Sequence, residues 1–137
     1  MIRAVIDTNV LVSAMIAPSG NEALLLLAIN QNLVSPCFSA EILDEYEDVL
    51  RRPKFGFEAD EIESLIELIR RLGELIQPAP LLPLSPDPGD DKFIACALAA
   101  KSEFLVTGNK RHYHESWLSG TKLVNAGELV QLITSLL

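Results

Sequence analysis

Asp7, Asp90 and a glutamate at position 45 or 47 are the residues whose type and placement point to chemistry. Asp7 closes Ile2-Arg3-Ala4-Val5-Ile6, a β-favouring run of the kind buried on both faces of a parallel sheet. A carboxylate there must be paired, hydrogen-bonded or metal-bound, because burying it alone is costly. The plain structural alternative is a cap for the helix that follows. Asp90 opens a helical pattern. At about 100° per residue, Phe93, Ile94 and Ala97 lie within about 60° of its direction, so Asp90 heads the inward stripe and Asp91 is turned toward its edge. A favourable helix dipole explains an acid at that place but not its inward aim. Glu45 and Glu47 lie on opposite edges of another apolar stripe, and geometry does not choose between them.

Inward acids need a positive counterweight, and the sequence has no buried cluster of Lys or Arg. A hard divalent cation answers the need, since Mg²⁺ or Mn²⁺ takes oxygen ligands. Carboxylates arranged around such an ion suggest phosphoryl or phosphodiester chemistry.

The elements that must position these acids alternate between strand and helix. After the first strand, helices are expected over residues 10–17 and 21–30, the first stopped by Pro18-Ser19-Gly20. Leu33-Val34-Ser35 reads as a short strand ending at Pro36. Ser39 is a natural N-cap for a helix to Arg51, with Ile42, Leu43, Tyr46, Val49 and Leu50 on one side. Arg52 to Phe57 breaks it. A long charged helix is expected from Glu58 to Ile76, then a loop from Pro78 to Pro88 with five prolines. A helix over 90–101, a strand Phe104–Thr107, a turn at Gly108, an ambiguous stretch 110–118, a strand Lys122–Val124 and a helix 126–136 complete the chain. This alternation implies an α/β fold with a mainly parallel sheet, whose ligands bind beyond the carboxyl ends of the strands.

The 137 residues fit one domain and show no repeat or linker, so a single domain over 1–137 is expected. With 49% hydrophobic and 22% charged residues the composition is globular. Cys37 and Cys96 are too few for a disulfide framework or a structural zinc site. No apolar run approaches the ~20 residues of a membrane helix, and no signal-peptide pattern stands out, so a reducing cytoplasm is expected. The acids outnumber the bases 19 to 11, which argues against coating nucleic acid by bulk charge. Residues 41–67 alone hold ten of the acids and three of the bases, most of them on helices where they serve solubility.

Four segments in order, AVIDTNVLVSAMIAP, SAEILDEYEDVLRRPKF, PDPGDDKFIACALAAKSEFLVTGNK and KLVNAGEL, resemble the PIN-domain family, in particular its branch of toxins from toxin–antitoxin pairs. The resemblance covers residues 1 to about 130. It implies a three-layer α/β/α sandwich and a Mg²⁺- or Mn²⁺-dependent nuclease for single-stranded RNA, with a cluster of three or four acids. The first family acid falls on Asp7, the second on Glu45, which selects it over Glu47, and the third on Asp90, with Asp91 at the neighbouring variable position. The fourth commonly follows a Thr-Gly pair, where this chain has Asn109. Asn109 offers an amide oxygen without charge, so one metal ion fits this set better than two. The alternative is a PIN-like module that binds RNA or protein with weak or lost catalysis. Relatives commonly form dimers and bind an antitoxin.

Around these positions, Thr8 and Asn9 are expected to orient Asp7, and Thr107 either reaches the site or satisfies backbone. Ser13 reads as packing. Arg51, Arg52 and Lys54 follow the Glu45 helix, Lys92 lies near Asp90, and Lys110 and Arg111 follow Asn109, as a phosphate path would require. His112, His114 and Glu115 make a weak metal pattern, better read as surface. Tyr113 and Trp117 read as packing, with base stacking as the other option. A haloacid-dehalogenase-like phosphatase needs a second Asp where Asn9 stands. A response-regulator receiver carries its paired acids early, whereas Asp90 and Asp91 come late.

Overall fold

A computed structural model describes residues 1–80 and 88–137. Five strands, β1 (Ile2–Ile6), β2 (Val34–Phe38), β3 (Glu74–Leu75), β4 (Phe104–Val106) and β5 (Lys122–Val124), form one sheet in the order β3-β2-β1-β4-β5, and every neighbouring pair is parallel. β1 is central: Val5 pairs with Cys37 on one side and Leu105 on the other. Ala4, Val5 and Ile6 are buried in succession, as are Phe104, Leu105 and Val106, so both sheet faces are covered.

Six helices supply that cover: α1 (Thr8–Ile16), α2 (Asn21–Asn30), α3 (Ala40–Leu50), α4 (Ala59–Leu72), α5 (Asp91–Ala100) and α6 (Ala126–Leu136). α5 packs on β1, β2 and β4, while α2 packs on β2 and against α1 and α6. The result is an α/β fold of the three-layer kind expected. Among the described residues no single helix is long and apolar enough to cross a membrane. α1 and α2 are bent by 103° to each other, and their Leu11, Leu25 and Ile29 lie in the core.

Local chemistry sets the helix ends. The Ser39 hydroxyl accepts from the Ile42 N–H at 3.2 Å and caps α3. Asn125 and Glu128 form a reciprocal capping box at the start of α6. α4 turns Ile62, Leu65, Ile66 and Ile69 inward.

Three expected boundaries are corrected. α1 begins at Thr8 rather than at residue 10, directly after its N-cap Asp7. β2 runs through Pro36 to Phe38 rather than stopping before the proline. β3 pairs only with Cys37 and Phe38, so Pro36 precedes that ladder and its missing N–H orphans no β3 partner. α4 ends at Leu72, not Ile76, because Gly73 breaks it. Gly73 lies so close to β2 that a Cβ there would stand 2.4 Å from the Pro36 carbonyl oxygen. Glu74 and Leu75 then pair as an edge strand, and the Ile76 N–H donates to the Phe38 carbonyl at 2.7 Å. Arg3 fastens that edge, donating to Glu74 at 2.9 Å and to the Ala100 carbonyl at 2.7 Å. Of the proline loop expected over 78–88, residues 81–87 lie outside the described residues.

The topology dictates where a site can form. From β1 the chain winds outward through β2 to β3, then α5 carries it back to β4 on the other side of β1. The carboxyl ends of β1 and β4 therefore flank a topological switch point, the usual crevice for ligands in open parallel sheets. Asp7 follows β1 and Thr107 follows β4.

Candidate active site at the β1–β4 switch point

Asp7 is buried at the end of β1, and its N–H donates to the Val106 carbonyl at 2.9 Å. It occupies the N-cap position of α1, where its carboxylate makes no well-formed capping hydrogen bond, although the Asn9 N–H of the first turn lies near enough to favour the charged form. The side chain is held from the other strand instead. Thr107 Oγ1 donates to Asp7 Oδ2 at 2.8 Å, and the Tyr113 hydroxyl donates to the same oxygen at 3.2 Å. Thr107 Oγ1 also accepts from the Asn109 N–H at 3.0 Å, so the hydroxyl reaches the carboxylate and satisfies backbone at once. Burial raises the Asp7 pKa above the ordinary carboxylate value; the bonds from Thr107 and Tyr113 oppose the rise, and the charge of Glu45 adds to it.

Glu45 arrives on α3. Its neighbour Tyr46 is fully buried and donates its hydroxyl to the Ile6 carbonyl, which anchors α3 to the end of β1. Both Glu45 oxygens are engaged. Oε2 accepts from the Thr8 hydroxyl, and Oε1 accepts from Lys92 Nζ at 2.6 Å. Lys92 Nζ also donates to the Gly89 carbonyl at 2.8 Å.

Asp90 is buried at the start of α5, while Asp91 is half-buried. His112 Nδ1 stands 3.2 Å from Asp90 Oδ2, and the Tyr113 hydroxyl, whose proton goes to Asp7, lies near enough to Asp90 to feel its charge. Tyr113 thus stands between Asp7 and Asp90. Burial first, then the two acids, pushes its phenol pKa far above the ordinary range, so Tyr113 remains a neutral hydrogen-bond donor.

Several expected roles change with the geometry. Thr8 reaches Glu45 rather than Asp7, because α1 turns its first hydroxyl toward α3. The Asn9 side chain is exposed. Lys92 points into the site instead of standing on the surface, since α5 begins beside α3. Lys110 pairs with Glu128, and Arg52 reaches Asp48 at 3.4 Å. Arg51, Lys54 and Arg111 are exposed, with Lys54 lying 5.1 Å from the centre of the Phe55 ring. Ser13 is half-buried, and His114 is exposed with its ring edge-on to Trp117 at 4.5 Å.

Tyr113 and His112, which read from the sequence as packing and as surface, are instead neighbours of the acids. They lie in the ambiguous stretch, which folds as two short 3-10 turns, Lys110–His112 and Glu115–Trp117. Tyr113 sits between them in extended conformation and is buried. The available signal was position: a tyrosine in the loop after β4, where switch-point ligands are bound.

Carboxylates from three elements are the donor types a hard divalent ion takes. The arrangement nevertheless does not assemble them as a ready cluster: among the described residues, no three His, Cys, Asp or Glu side chains stand together as a metal-binding group. Protein groups engage the acids instead, Lys92 and Thr8 on Glu45, Thr107 and Tyr113 on Asp7. Cys37 and Cys96 are buried away from this chemistry, and burial pushes the Cys96 thiol up to about 12.

The family model of the PIN domain matches residues 3–111, which take in Asp7, Glu45, Asp90 and Asn109 and stop short of Tyr113. The chain belongs to the PIN-domain family. PIN domains are generally nucleases, hydrolases that commonly employ divalent metal ions. No curated protein and no solved structure matches the chain.

Proposed function

We propose that this PIN domain is an endoribonuclease for single-stranded RNA, dependent on Mg²⁺ or Mn²⁺, and the toxin component of a toxin–antitoxin pair. The observation that carries the reading is the meeting of Asp7 and Thr107 at the switch point, with Glu45 held by Thr8 of the adjoining helix and Asp90 close enough to act on Tyr113, which bonds Asp7. Asp7, Glu45 and Asp90, with the Asn109 amide, would hold the ion. When bound, such an ion polarises a phosphate and lowers the pKa of a water.

The chain's own residues supply orientation. Thr107 and Tyr113 fix the Asp7 carboxylate, and Thr8 fixes Glu45. Arg51, Arg52, Lys54 and Lys110 are exposed cations on elements that adjoin the acids, suited to contacts with an RNA backbone. The products would carry 5′-phosphate and 3′-hydroxyl ends. A toxin of this kind acts in the cytoplasm, associates with an antitoxin protein and forms homodimers or higher homo-oligomers.

A second reading is a PIN-like module that binds RNA or protein without cutting it. Two observations favour it: Asn109 at the fourth position and the Lys92 ammonium already on Glu45. Incubating the purified protein with labelled single-stranded RNA and Mn²⁺, beside an Asp90→Asn control, separates the two. Cleavage by the wild type alone supports the nuclease. Equal cleavage by both defeats it, and binding without cleavage selects the second reading. A small upstream reading frame encoding a DNA-binding protein would support the toxin role.

A further inference from the structure

We propose that Lys92 is a tethered counter-cation that holds Glu45 while no divalent ion is bound and yields it to the ion. The inference rests on the metal-dependent reading above and concerns how this chain admits the ion.

Lys92 lies on the first turn of α5, two residues after Asp90, and its side chain is 13% exposed. Its ammonium is placed at both ends of a short bridge, 2.6 Å from Glu45 Oε1 and 2.8 Å from the Gly89 carbonyl. A solvated surface pair would leave the ammonium mostly in water and hold it loosely. Here the carbonyl, on the turn that carries Asp90, gives the ammonium a second fixed partner. Thr8 takes the other Glu45 oxygen, so an ion that reached Glu45 would use a remaining lone pair beside one of these two donors. Thr8 is neutral and its hydroxyl can rotate to keep bonding a metal-bound carboxylate. Lys92 is cationic and repels a divalent ion, so Lys92 is the group that must leave.

Charge explains why such a residue is needed. Asp7 and Asp90 both act on Tyr113, and the Glu45 charge is felt at Asp7. Without a cation their mutual repulsion would push α3, α5 and the end of β1 apart. A lysine on a flexible stem supplies one positive charge and can swing aside, which a rigid guanidinium fork does less readily. Lys92 is therefore a positioning residue acting through Glu45.

The test compares Mn²⁺ binding by calorimetry in the wild type, Lys92→Met and Lys92→Gln, without RNA. Urea unfolding without metal of the wild type, Lys92→Met, Glu45→Gln and the double variant completes it. The expected result is Mn²⁺ affinity raised on the order of tenfold in both Lys92 variants, as removal of one competing charge from a metal site implies. Without metal, Lys92→Met should lower the unfolding midpoint, and should do so less in the Glu45→Gln background. Binding by the variants alone also supports the proposal, with Lys92 blocking the wild type. Wild-type binding with unchanged or weaker affinity in the variants overturns it and leaves the metal-dependent reading standing. Binding by none overturns both. Two variants of different length guard against a packing defect, and equal midpoint losses in the two backgrounds would overturn the pairing.

Discussion

Thr107 and Asp7 end adjacent parallel strands and are joined side chain to side chain at 2.8 Å across the switch point. The Thr107 hydroxyl is fully buried, gives its proton to the carboxylate and accepts the Asn109 N–H. Thr107→Val keeps the shape and removes both bonds. The carboxylate loses a donor in a low-dielectric place, and a backbone N–H loses its acceptor. The expected destabilisation is about 1–3 kcal/mol, read from urea unfolding. A wild-type midpoint would show that water replaces the hydroxyl without cost.

Asp7 also makes a pH prediction for the metal-free protein. Burial raises its folded pKa above the unfolded one, so the folded state binds the proton more tightly. The unfolded state then holds fewer protons than the folded state through that window, and stability falls as pH rises from the ordinary value of 3.8 through the folded one. Asp7→Asn removes the titration. Unfolding curves at about pH 4 and about pH 7 should show the variant gaining on the wild type at the higher pH. A difference that does not change between the two would mean that the buried carboxylate carries no penalty. The same variant should abolish RNA cleavage, an exchange of activity for stability at one atom.

The fold was legible where local chemistry and periodicity agree. Asn21–Asn30, Lys122–Val124 and Ala126–Leu136 have the expected bounds, the last because Asn125 and Glu128 cap it reciprocally. Boundaries set by tertiary packing were not legible. Pro36 is tolerated in β2 only because β3 begins one residue later, and Glu74-Leu75 becomes a strand only because Gly73 brings the chain against β2. At the site, the inward aim of Asp90 followed from helical phase. The Lys92 contact did not, since it depends on how α5 meets α3. Tyr113 was hidden for a related reason: 3-10 turns carry no long apolar period, so nothing in the spacing marks the one ring that turns inward.

Gly73 therefore makes a prediction about that packing. Its φ is an ordinary −94°, so the constraint is space rather than backbone conformation. A methyl group there would stand 2.4 Å from the Pro36 oxygen and 2.5 Å from the Ile69 oxygen, both backbone atoms that cannot turn away. Gly73→Ala should destabilise the protein by about 1–3 kcal/mol, although alanine is favoured over glycine in most helical contexts. Urea unfolding checks this. A neutral or stabilising outcome would mean that α4 and β2 separate easily.

Asn109 carries the last prediction, because it decides how much charge the crevice presents to an ion. Its N–H bonds to Thr107 Oγ1 at 3.0 Å, so it stands one hydroxyl away from Asp7, and its side chain is only partly exposed. Asn109→Asp keeps the size and adds a negative charge at this point. Without metal, the new charge should raise the Asp7 pKa further and lower stability at neutral pH. With Mn²⁺, the extra carboxylate should tighten binding by about tenfold or more, since affinity for hard cations rises with the number of charged oxygen ligands. Calorimetry measures the affinity, and unfolding with and without Mn²⁺ measures the opposing stability effects. Tighter binding with lower metal-free stability would place residue 109 at the ion. Lower stability with unchanged affinity would place it beside Asp7 but outside the ion's reach, and Asn109 would then not account for weak catalysis.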